Sequence, residues 1–232
     1  MSTLSPILKF GRNADVDVGT EDIWTAGGTW VQPTAARVHA IVSTDAKDTS
    51  NGVGARTIKV LGLSSAYAPT SETVTLNGTT PVNTASSYVM IYRMYVITAG
   101  SELDNAGVIS ATAATDSTVT AVIPAGENQT LMAIYQIPAG YTGKITRYYA
   151  SAGNVTAAST MTIRLLVKEF GEVYQTKHII DVVTTGENMI DYKYSPPLTV
   201  GEKAIVKLNA TAGAANMSAN GGFDIELSQI LT

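Results

Sequence analysis

The stretch at residues 121–150 reads AVIPAGENQTLMAIYQIPAGYTGKITRYYA and contains the tetrapeptide Ile-Pro-Ala-Gly twice, at 123–126 and at 137–140. Proline fixes φ and has no N–H, so it suits the end of a strand but not its middle. The glycine two residues later allows a corner with positive φ. Residues 130–137, between the corners, are nearly all apolar or aromatic. This run predicts a strand buried on both faces in the middle of a sheet, with one corner at each end of a sandwich.

From residue 35 onward, the chain alternates short runs of strand-forming residues with turn-forming residues. Residues 160–169 and 172–183 predict a hairpin that turns at Gly171, and the Asn-Gly pair at 77–78 predicts a second hairpin. No stretch has a convincing period of 3.6 residues, which argues against helices. Counting gives about ten to thirteen strands, so the predicted fold class is all-β, a jelly-roll-like antiparallel β-sandwich.

The end of the chain gives the cleanest alternation. Within residues 223–231, Phe223, Ile225 and Leu227 fall on one face of a strand, and polar residues alternate with them. The preceding residues, 212–222, are mostly Gly, Ala, Asn and Ser, which predicts a loop.

Residues 1–34 differ from the rest of the chain because they show little periodicity, carry an acidic cluster at 13–22 and contain both tryptophans, Trp24 and Trp30. One interpretation is an extended N-terminal arm that becomes ordered against a partner, because disordered tails are poor in aromatic residues. The alternative is that the tryptophans cover the core of their own domain. The first interpretation divides the chain into an arm at 1–34 and one sandwich domain at 35–232. It predicts that the sandwich folds without the arm.

The composition excludes several classes of function. The chain has 232 residues and no cysteine, which rules out disulfides and cysteine-ligated metals. Its formal net charge is −4 with no visible basic patch, so we expect no nucleic-acid partner. No apolar run of about 18 residues is present, so we expect no membrane span. The N-terminus lacks the apolar region of a signal peptide, and we expect folding in the cytoplasm where the chain is made.

The sequence contains no catalytic constellation. His39 and His178 are the only histidines, and both fall in predicted strands, where a structural role is the usual one. Neither a G-x-S-x-G nucleophile elbow nor an H-E-x-x-H zinc motif is present. The acidic cluster at 13–22 lacks the glycine and the terminal glutamate of a calcium-binding EF-hand loop. We therefore expect a non-enzymatic protein with no catalytic residue, cofactor or metal.

Tyrosines are grouped along the predicted strands. They support two interpretations, since tyrosine is common in subunit interfaces and packed strand ends, and aromatic faces can also stack on sugars. Packing or subunit contact is favoured, because no tryptophan accompanies these groups outside residues 1–34. The groups are Tyr88, Tyr92 and Tyr95, then Tyr135, Tyr141, Tyr148 and Tyr149, then Tyr192 and Tyr194.

Several segments together resemble a family of virion proteins from tailed bacteriophages, mostly short-tailed ones. The resemblance covers residues from about Phe10 to Leu227. The motifs that carry it identify the family but contain no catalytic or ligand-binding pattern. These motifs are KFGRNADVDVGTEDIWTAGGTWVQPTAAR, ARTIKVLGL, SETVTLNGTTPV, YVMIYRMYVITAG and QTLMAIYQIPAGYTGKITRYYAS.

The resemblance implies a structural protein of the virion, similar to jelly-roll capsid cement proteins that sit on the capsid as trimers. The expected partners are the major capsid protein and two further copies of this chain, and the expected location is the capsid surface. In the arm, the residues expected to bind the partner are Phe10, Arg12, Trp24 and Trp30. The alternative is a tail or head-fibre module that binds a glycan on the host surface.

Overall fold

The computed structural model describes residues 6–153, 159–184 and 188–230, and this part of the chain contains sixteen strands and no helix. All ladders between these strands are antiparallel, so the predicted all-β class is confirmed. In chain order the strands are β1 (Ile7–Val16), β2 (Thr20–Asp22), β3 (His39–Ser43), β4 (Ala55–Leu63), β5 (Pro69–Thr75), β6 (Val82–Asn83), β7 (Met90–Ala99), β8 (Ile109–Ala113), β9 (Thr118–Ile123), β10 (Ile134–Gln136), β11 (Tyr141–Gly153), β12 (Thr160–Lys168), β13 (Gln175–Val183), β14 (Met189–Val200), β15 (Ile205–Ala212) and β16 (Met217–Gln229).

The chain forms two compact units. The first unit comprises Met1–Trp30 and Met132–Thr232, and the second comprises Val31–Leu131. The predicted division into an arm and one sandwich domain is therefore wrong. The chain starts in the first unit, leaves it after Trp30, builds the second unit and returns at Met132.

The first unit has the strand order of a jelly roll. One sheet has the order β1-β16-β11-β14, and the other has the order β10-β15-β12-β13, with β2 also pairing to β15. Apart from β2, the first unit contains eight strands, β1 and β10 to β16. If these are renumbered 1 to 8 in chain order, the two sheets have the orders 1-8-3-6 and 2-7-4-5. Early and late strands are thus neighbours in both sheets, as in the two interlocked Greek keys of a jelly roll.

The N-terminal residues are part of this jelly roll rather than an arm. Strand β1 pairs with β16 over most of its length, from Ile7 opposite Ile225 onward. Trp24 and Trp30 are only 4% and 3% exposed, so the alternative in which they cover the core of their own domain is confirmed. Their burial explains why a segment with little periodicity is ordered without a partner.

The second unit is a smaller sandwich of two sheets, β6-β3-β8-β9 and β5-β4-β7. Its connections are tied together by the fully buried carboxylate of Asp48. Asp48 Oδ2 accepts hydrogen bonds from Ser43 Oγ (2.6 Å) and Gly107 N (2.9 Å), and Oδ1 accepts from Ala55 N (2.8 Å) and Ala106 N (2.9 Å). Four donors satisfy the two oxygens of this buried side chain, so a stretch that is polar in sequence forms an ordered part of the unit.

The run at 130–137 is buried along its length, as predicted, but its place in the sheet differs from the prediction. Only Ile134–Gln136 forms a strand, and this strand, β10, lies at the end of its sheet beside β15. Another strand, β1, passes close to the residue that precedes β10. A Cβ at Gly11 on β1 would overlap the backbone of Ile23 and Ala133, so β1 covers this region as closely as two backbones can approach.

Both Ile-Pro-Ala-Gly corners have the predicted geometry, with φ of 75° at Gly126 and 77° at Gly140. They belong to different units, however, because the chain passes from the second unit to the first between them. The Asn-Gly pair at 77–78 is also a turn, with φ of 61° at Gly78. It links β5 to β6, which lie in different sheets, so the predicted hairpin there is wrong.

Two other predictions about the first unit have opposite outcomes. The hairpin at 160–183 is confirmed as β12 paired with β13, with φ of 82° at Gly171. The loop predicted at 212–222 is wrong, because β16 already begins at Met217. Small residues are needed there for space, since a Cβ at Gly222 would overlap the backbone oxygen of Lys9 and lie 2.5 Å from the Tyr149 hydroxyl.

Candidate functional site

The outer surface of the sheet that begins with β1 is the first candidate for contact with a partner. On β1 the side chains alternate, so that Lys9 and Asn13 are buried whereas Leu8, Phe10 and Arg12 point outward. Leu8 is 67% exposed and Phe10 is 42% exposed. We call the surface formed by Leu8, Phe10 and Arg12 the β1 patch. Two exposed large apolar side chains beside a cation form a composition that is common in protein contact surfaces.

Charged groups lie on the same face of the sheet, on β16, β11 and β14. The Arg147 guanidinium lies 2.7 Å from Asp191 Oδ1 and 3.5 Å from Asp224 Oδ2, and it sits over the Tyr149 ring at 4.8 Å from the centroid. The hydrogen bond from Arg147 lowers the pKa of Asp191, which stays anionic at neutral pH. Leu8 lies directly opposite Asp224 in the ladder. The face therefore combines an apolar edge with a charged network, as in the core and rim of many interfaces.

The structure separates the four residues that the sequence predicted as partner-binding. Phe10 and Arg12 are on the outer face of β1, two residues apart, and are accessible. Trp24 and Trp30 are buried in the first unit, and the Trp24 indole donates to the backbone oxygen of Gly27 at 2.7 Å. Phe10 and Arg12 therefore remain candidates for partner binding, whereas the two tryptophans belong to the core.

Two charged residues that the sequence did not single out as a pair form a buried contact behind β1. Asp22 of β2 and Lys207 of β15 are 2.7 Å apart, with side chains only 2% and 5% exposed. Asp22 also accepts a hydrogen bond from Trp30 N at 2.8 Å, and the Lys207 ammonium lies 4.3 Å from the centroid of the Tyr174 ring. Burial raises the pKa of Asp22, and Lys207 opposes that rise. The only signal in the sequence was the acidic cluster at 13–22, which contains Asp22.

A second cluster is aromatic and lies along the free edges of β13 and β14. His178 of β13 stacks on Tyr192 of β14, with ring centroids 4.1 Å apart, and Tyr194 meets Tyr192 edge to face at 5.0 Å. The fully buried Tyr148 of β11 shares a short hydrogen bond with His178 Nδ1. Burial raises the pKa of Tyr194 to about 12, and its hydroxyl has no hydrogen-bond partner among the described residues. Only Tyr192 is substantially exposed, so packing is the main role of this cluster.

The second unit contains a shallow polar depression between the loops that precede β4 and follow β7. It is lined by acidic side chains, including Asp45, Glu102 and Asp104, and by Lys47. The Lys47 ammonium is paired with Glu102 at 2.7 Å. Within the described ranges, no group of three or more His, Cys, Asp or Glu residues is arranged to hold a metal ion. These ranges also hold no helix that could cross a membrane.

His39 of the second unit is fully buried in a setting that suits only its neutral form. Its Nδ1 bonds with the backbone oxygen of Arg37 at 2.9 Å, and its Nε2 has no hydrogen-bond partner among the described residues. The ring packs edge to face with Tyr88 at 6.1 Å. Burial lowers the pKa of His39, although the Arg37 carbonyl and Asp116 partly counteract that effect. This environment assigns His39 a structural role, as expected from the sequence.

The buried His39 predicts that the second unit is sensitive to acid. Because the pKa is lowered on folding, the stability that neutral His39 provides is present above the usual pKa near 6.5 and is lost as the pH falls through the folded value. We expect the unfolding free energy to fall by at most about 1.4 kcal/mol per pH unit in that window. In the variant His39→Asn, which cannot take up this proton, thermal unfolding followed from pH 7 to pH 5 should give a flatter profile. Parallel profiles for the two proteins would refute the assignment.

No protein-family model matches the chain, and no curated protein matches it either. Among solved structures, it is similar to a structure of the infectious bursal disease virus Gx strain, at 9% identity and a TM-score of 0.26, with 97% of this chain and 72% of that chain covered. It is also similar to T=1 particles derived from infectious bursal virus, at 11% identity and a TM-score of 0.23, covering 97% and 70% of the two chains. TM-scores this low carry no weight for fold or function, so the jelly-roll assignment rests on the strand order.

Proposed function

We propose that this chain is a non-enzymatic structural protein of a virus particle. Specifically, it is a capsid decoration, or cement, protein that binds the outer surface of the major capsid protein as a homotrimer and stabilises the head. The observation that carries this proposal is the β1 patch on a jelly roll, where Leu8 and Phe10 expose apolar surface beside Arg12. Static binding to a large protein lattice requires a rigid sheet that presents such a surface.

The sequence supports the proposal in two further ways. The motifs that span residues from about Phe10 to Leu227 resemble virion proteins of tailed bacteriophages. A chain without cysteine is also suited to folding in a reducing cytoplasm, where such particles are assembled. A trimer would present three copies of the β1 patch, and simultaneous contact by three weak sites would bind far more tightly than one.

The proposal predicts the effect of changing the β1 patch. The double variant Phe10→Ser/Arg12→Glu should bind at least about tenfold more weakly to purified capsids that lack this chain, because it removes an apolar anchor and reverses a charge. Its melting temperature should change little, since both side chains point outward from the sheet. Sedimentation of labelled protein with such capsids measures the binding.

A matched control replaces an exposed apolar residue elsewhere in the first unit. Val173 lies in the turn between β12 and β13 and is exposed, so Val173→Ser should leave capsid binding unchanged. Equal binding by the wild type and the β1-patch variant would show that this patch does not contact the capsid. Absence of binding by the wild-type protein to these capsids would contradict the proposed function itself.

A tail or head-fibre module that binds a host glycan is the second candidate function. It is favoured by one observation, the exposed ring of Tyr192 stacked on His178, because aromatic rings can pack against the apolar faces of sugars. Under this alternative, Tyr192→Ala would abolish retention on host-cell surface polysaccharide without affecting capsid binding. The cement proposal predicts no such retention for the wild type.

A further inference from the structure

The second unit is an insertion in the jelly roll. The strands of both jelly-roll sheets lie outside Val31–Leu131, and the chain segments that flank the insertion are neighbours in the first unit. Trp24 and Met132 form an antiparallel bridge, and Ala133 N donates to the Ile23 carbonyl at 2.9 Å. Insertion of one domain into a loop of another is common, and each domain keeps its own core. The β1 patch belongs to the first unit, so the proposed capsid contact assigns no role to the second.

The cations of the second unit differ in their partners. Arg37 and Lys47 are ion-paired with carboxylates, and Arg56 Nε donates to a backbone oxygen at 2.9 Å. The other cations of this unit are Lys59 and Arg93, and neither forms an ion pair within the described ranges. The positive charges of these two side chains are therefore not balanced by a neighbouring carboxylate.

Lys59 of β4 and Arg93 of β7 lie on the same face of the sheet β5-β4-β7. Lys59 is opposite Tyr95 in the β4–β7 ladder, and Arg93 precedes Tyr95 by two residues. Residues that are opposite in a ladder share a face of the sheet. Val60 and Met94 are opposite each other on the other face and are fully buried, so Lys59 and Arg93 are on the outer face. Diagonal neighbours of this kind are about 7–8 Å apart, so both side chains can reach one anionic group.

In these three strands, all of which the structure describes, no carboxylate lies at an outward position. Glu72 of β5 is their only acidic residue, and it is opposite the buried Val60. Its carboxylate accepts hydrogen bonds from Ala85 N (2.7 Å), Ser86 N (2.9 Å) and Tyr88 OH (2.8 Å). The outer face therefore carries only positive charge, although the chain has a formal net charge of −4.

The Arg93 guanidinium is held across this face. Its Nη2 donates to Gln129 Oε1 at 3.1 Å, and its Cζ lies 5.2 Å from the centroid of the Tyr95 ring. A guanidinium has five N–H groups and can bind an anionic group with two of them at once. Lys59 supplies a second cation beside it. One acidic group on a ligand would thus receive hydrogen bonds from both side chains.

The rest of the outer face presents hydroxyl groups rather than large apolar side chains. Ser71, Thr73 and Thr75 are exposed at the outward positions of β5, whereas Leu61 is only partly exposed. A protein interface would have large apolar or aromatic anchors at its centre. Strong binding to nucleic acid depends on many phosphate contacts, and two cations supply few of them. A chain of sugars that carries acidic groups matches both the cations and the hydroxyls.

We propose that the outer face of β5-β4-β7 binds an acidic polysaccharide. Lys59 and Arg93 bind its anionic groups, and the hydroxyls of Ser71 and Thr73 form hydrogen bonds with its hydroxyl groups. The attraction is between exposed charges, so it should weaken as the salt concentration rises. Tyr192 belongs to the first unit and takes no part in this contact, which distinguishes it from the glycan contact of the second candidate function.

Calorimetric titration of the full-length protein with three soluble polymers at low ionic strength tests this proposal. Polygalacturonate carries carboxylates, dextran sulfate carries sulfates and dextran is neutral. We expect binding to at least one charged polymer and none to dextran. The variant Lys59→Gln/Arg93→Gln should bind at least about tenfold more weakly, with little change in melting temperature, because both side chains point outward. Absence of binding to both charged polymers, equal binding to dextran, or unchanged binding by the variant would overturn the proposal.

A matched control removes the same charge from the other unit. Lys144→Gln/Lys193→Gln changes two exposed lysines on β11 and β14 of the first unit and should keep the wild-type affinity for the charged polymers. Equal weakening by the two double variants would mean that the polymers respond to net charge alone, and the assignment to this face would then be wrong.

This inference does not rest on the proposed capsid function. The titrations use purified protein and soluble polymers, whereas the test of the cement proposal uses capsids and the β1 patch. If polymer binding fails and capsid binding holds, the cement proposal stands. If polymer binding holds and capsid binding fails, the polysaccharide contact stands without it.

Discussion

Deleting residues 1–30 is expected to unfold the first unit. The deletion removes β1, which pairs with β16, and β2, which pairs with β15, so both sheets of the jelly roll lose a strand. The interpretation of residues 1–34 as an arm predicted the opposite result. This difference makes the deletion a decisive test of the corrected fold.

The expected loss exceeds what a domain of this kind can tolerate. The deletion removes four large apolar side chains that are at most 4% exposed, namely Val16, Ile23, Trp24 and Trp30. Burial of each contributes about 1.5–3 kcal/mol, so roughly 6–12 kcal/mol is lost before any hydrogen bond is counted. The net stability of a folded domain is only about 5–15 kcal/mol.

Differential scanning calorimetry and near-ultraviolet circular dichroism would measure the outcome. We expect the truncated chain to lose the cooperative transition of the first unit and the near-ultraviolet signal of its remaining tyrosines, since both tryptophans are removed by the deletion. Leu8→Ser is the control, because it changes an exposed residue on the same strand and should shift the melting temperature little. A truncated protein that melts cooperatively within about 5 °C of the full chain would restore the interpretation as an arm.

Replacing Lys207 by methionine is expected to cost about 3–5 kcal/mol of unfolding free energy, because the carboxylate of Asp22 would remain buried without its counter-ion. In the wild type, Lys207 lies 2.7 Å from Asp22, whose side chain is only 2% exposed. Among the described residues, Trp30 N, at 2.8 Å, is the hydrogen-bond donor that would remain to Asp22 in the variant. Urea unfolding monitored by tryptophan fluorescence measures the loss, since Trp30 touches the site.

A second substitution separates the missing charge from the missing packing. Asp22→Asn/Lys207→Met is neutral and keeps an acceptor for Trp30, so it should recover most of the stability lost in Lys207→Met. Burial already raises the pKa of Asp22, and removing Lys207 raises it further. A carboxyl with a raised folded pKa favours the folded state most below its unfolded pKa and loses that contribution as the pH rises. The penalty of Lys207→Met should therefore shrink as the pH is lowered from 7 toward 4, and a constant penalty would refute this explanation.

The sequence predicted those parts of the fold whose structure is decided locally. The hairpin at 160–183 has its turn at Gly171, and the strand β16 has Phe223, Ile225 and Leu227 on its buried face. Both follow from alternation and turn chemistry over a few residues. The corners at Gly126 and Gly140 likewise depend on a single backbone angle each.

The parts of the fold that the sequence did not predict depend on contacts between residues that are far apart in the sequence. Residues 130–137 have the composition of a central strand, but β10 lies at the edge of its sheet, and β1 approaches the backbone of Met132 and Ala133 through Gly11. Gly222 lies in β16 because Tyr149 and the Lys9 backbone leave no room for a side chain. Periodicity along one segment contains no information about such approaches from distant parts of the chain.

The same limit applies to the candidate site. The sequence selected Phe10 and Arg12, which the structure places on an exposed face, together with Trp24 and Trp30, which it buries. An aromatic residue in a segment without periodicity has the same appearance in sequence whether it awaits a partner or fills the core of its own domain. The strands at the edges of the sheets could not be identified either, because strand order depends on the topology of the whole chain.

The number of copies per virus particle tests the proposed function most directly. Quantitative mass spectrometry of purified particles, with the major capsid protein as the internal standard, measures this ratio. A cement protein is expected on the order of hundreds of copies per particle, in a fixed ratio to the capsid lattice. Only a handful of copies per particle, as for a tail or fibre component, or none, would contradict the proposal that this jelly roll decorates the capsid.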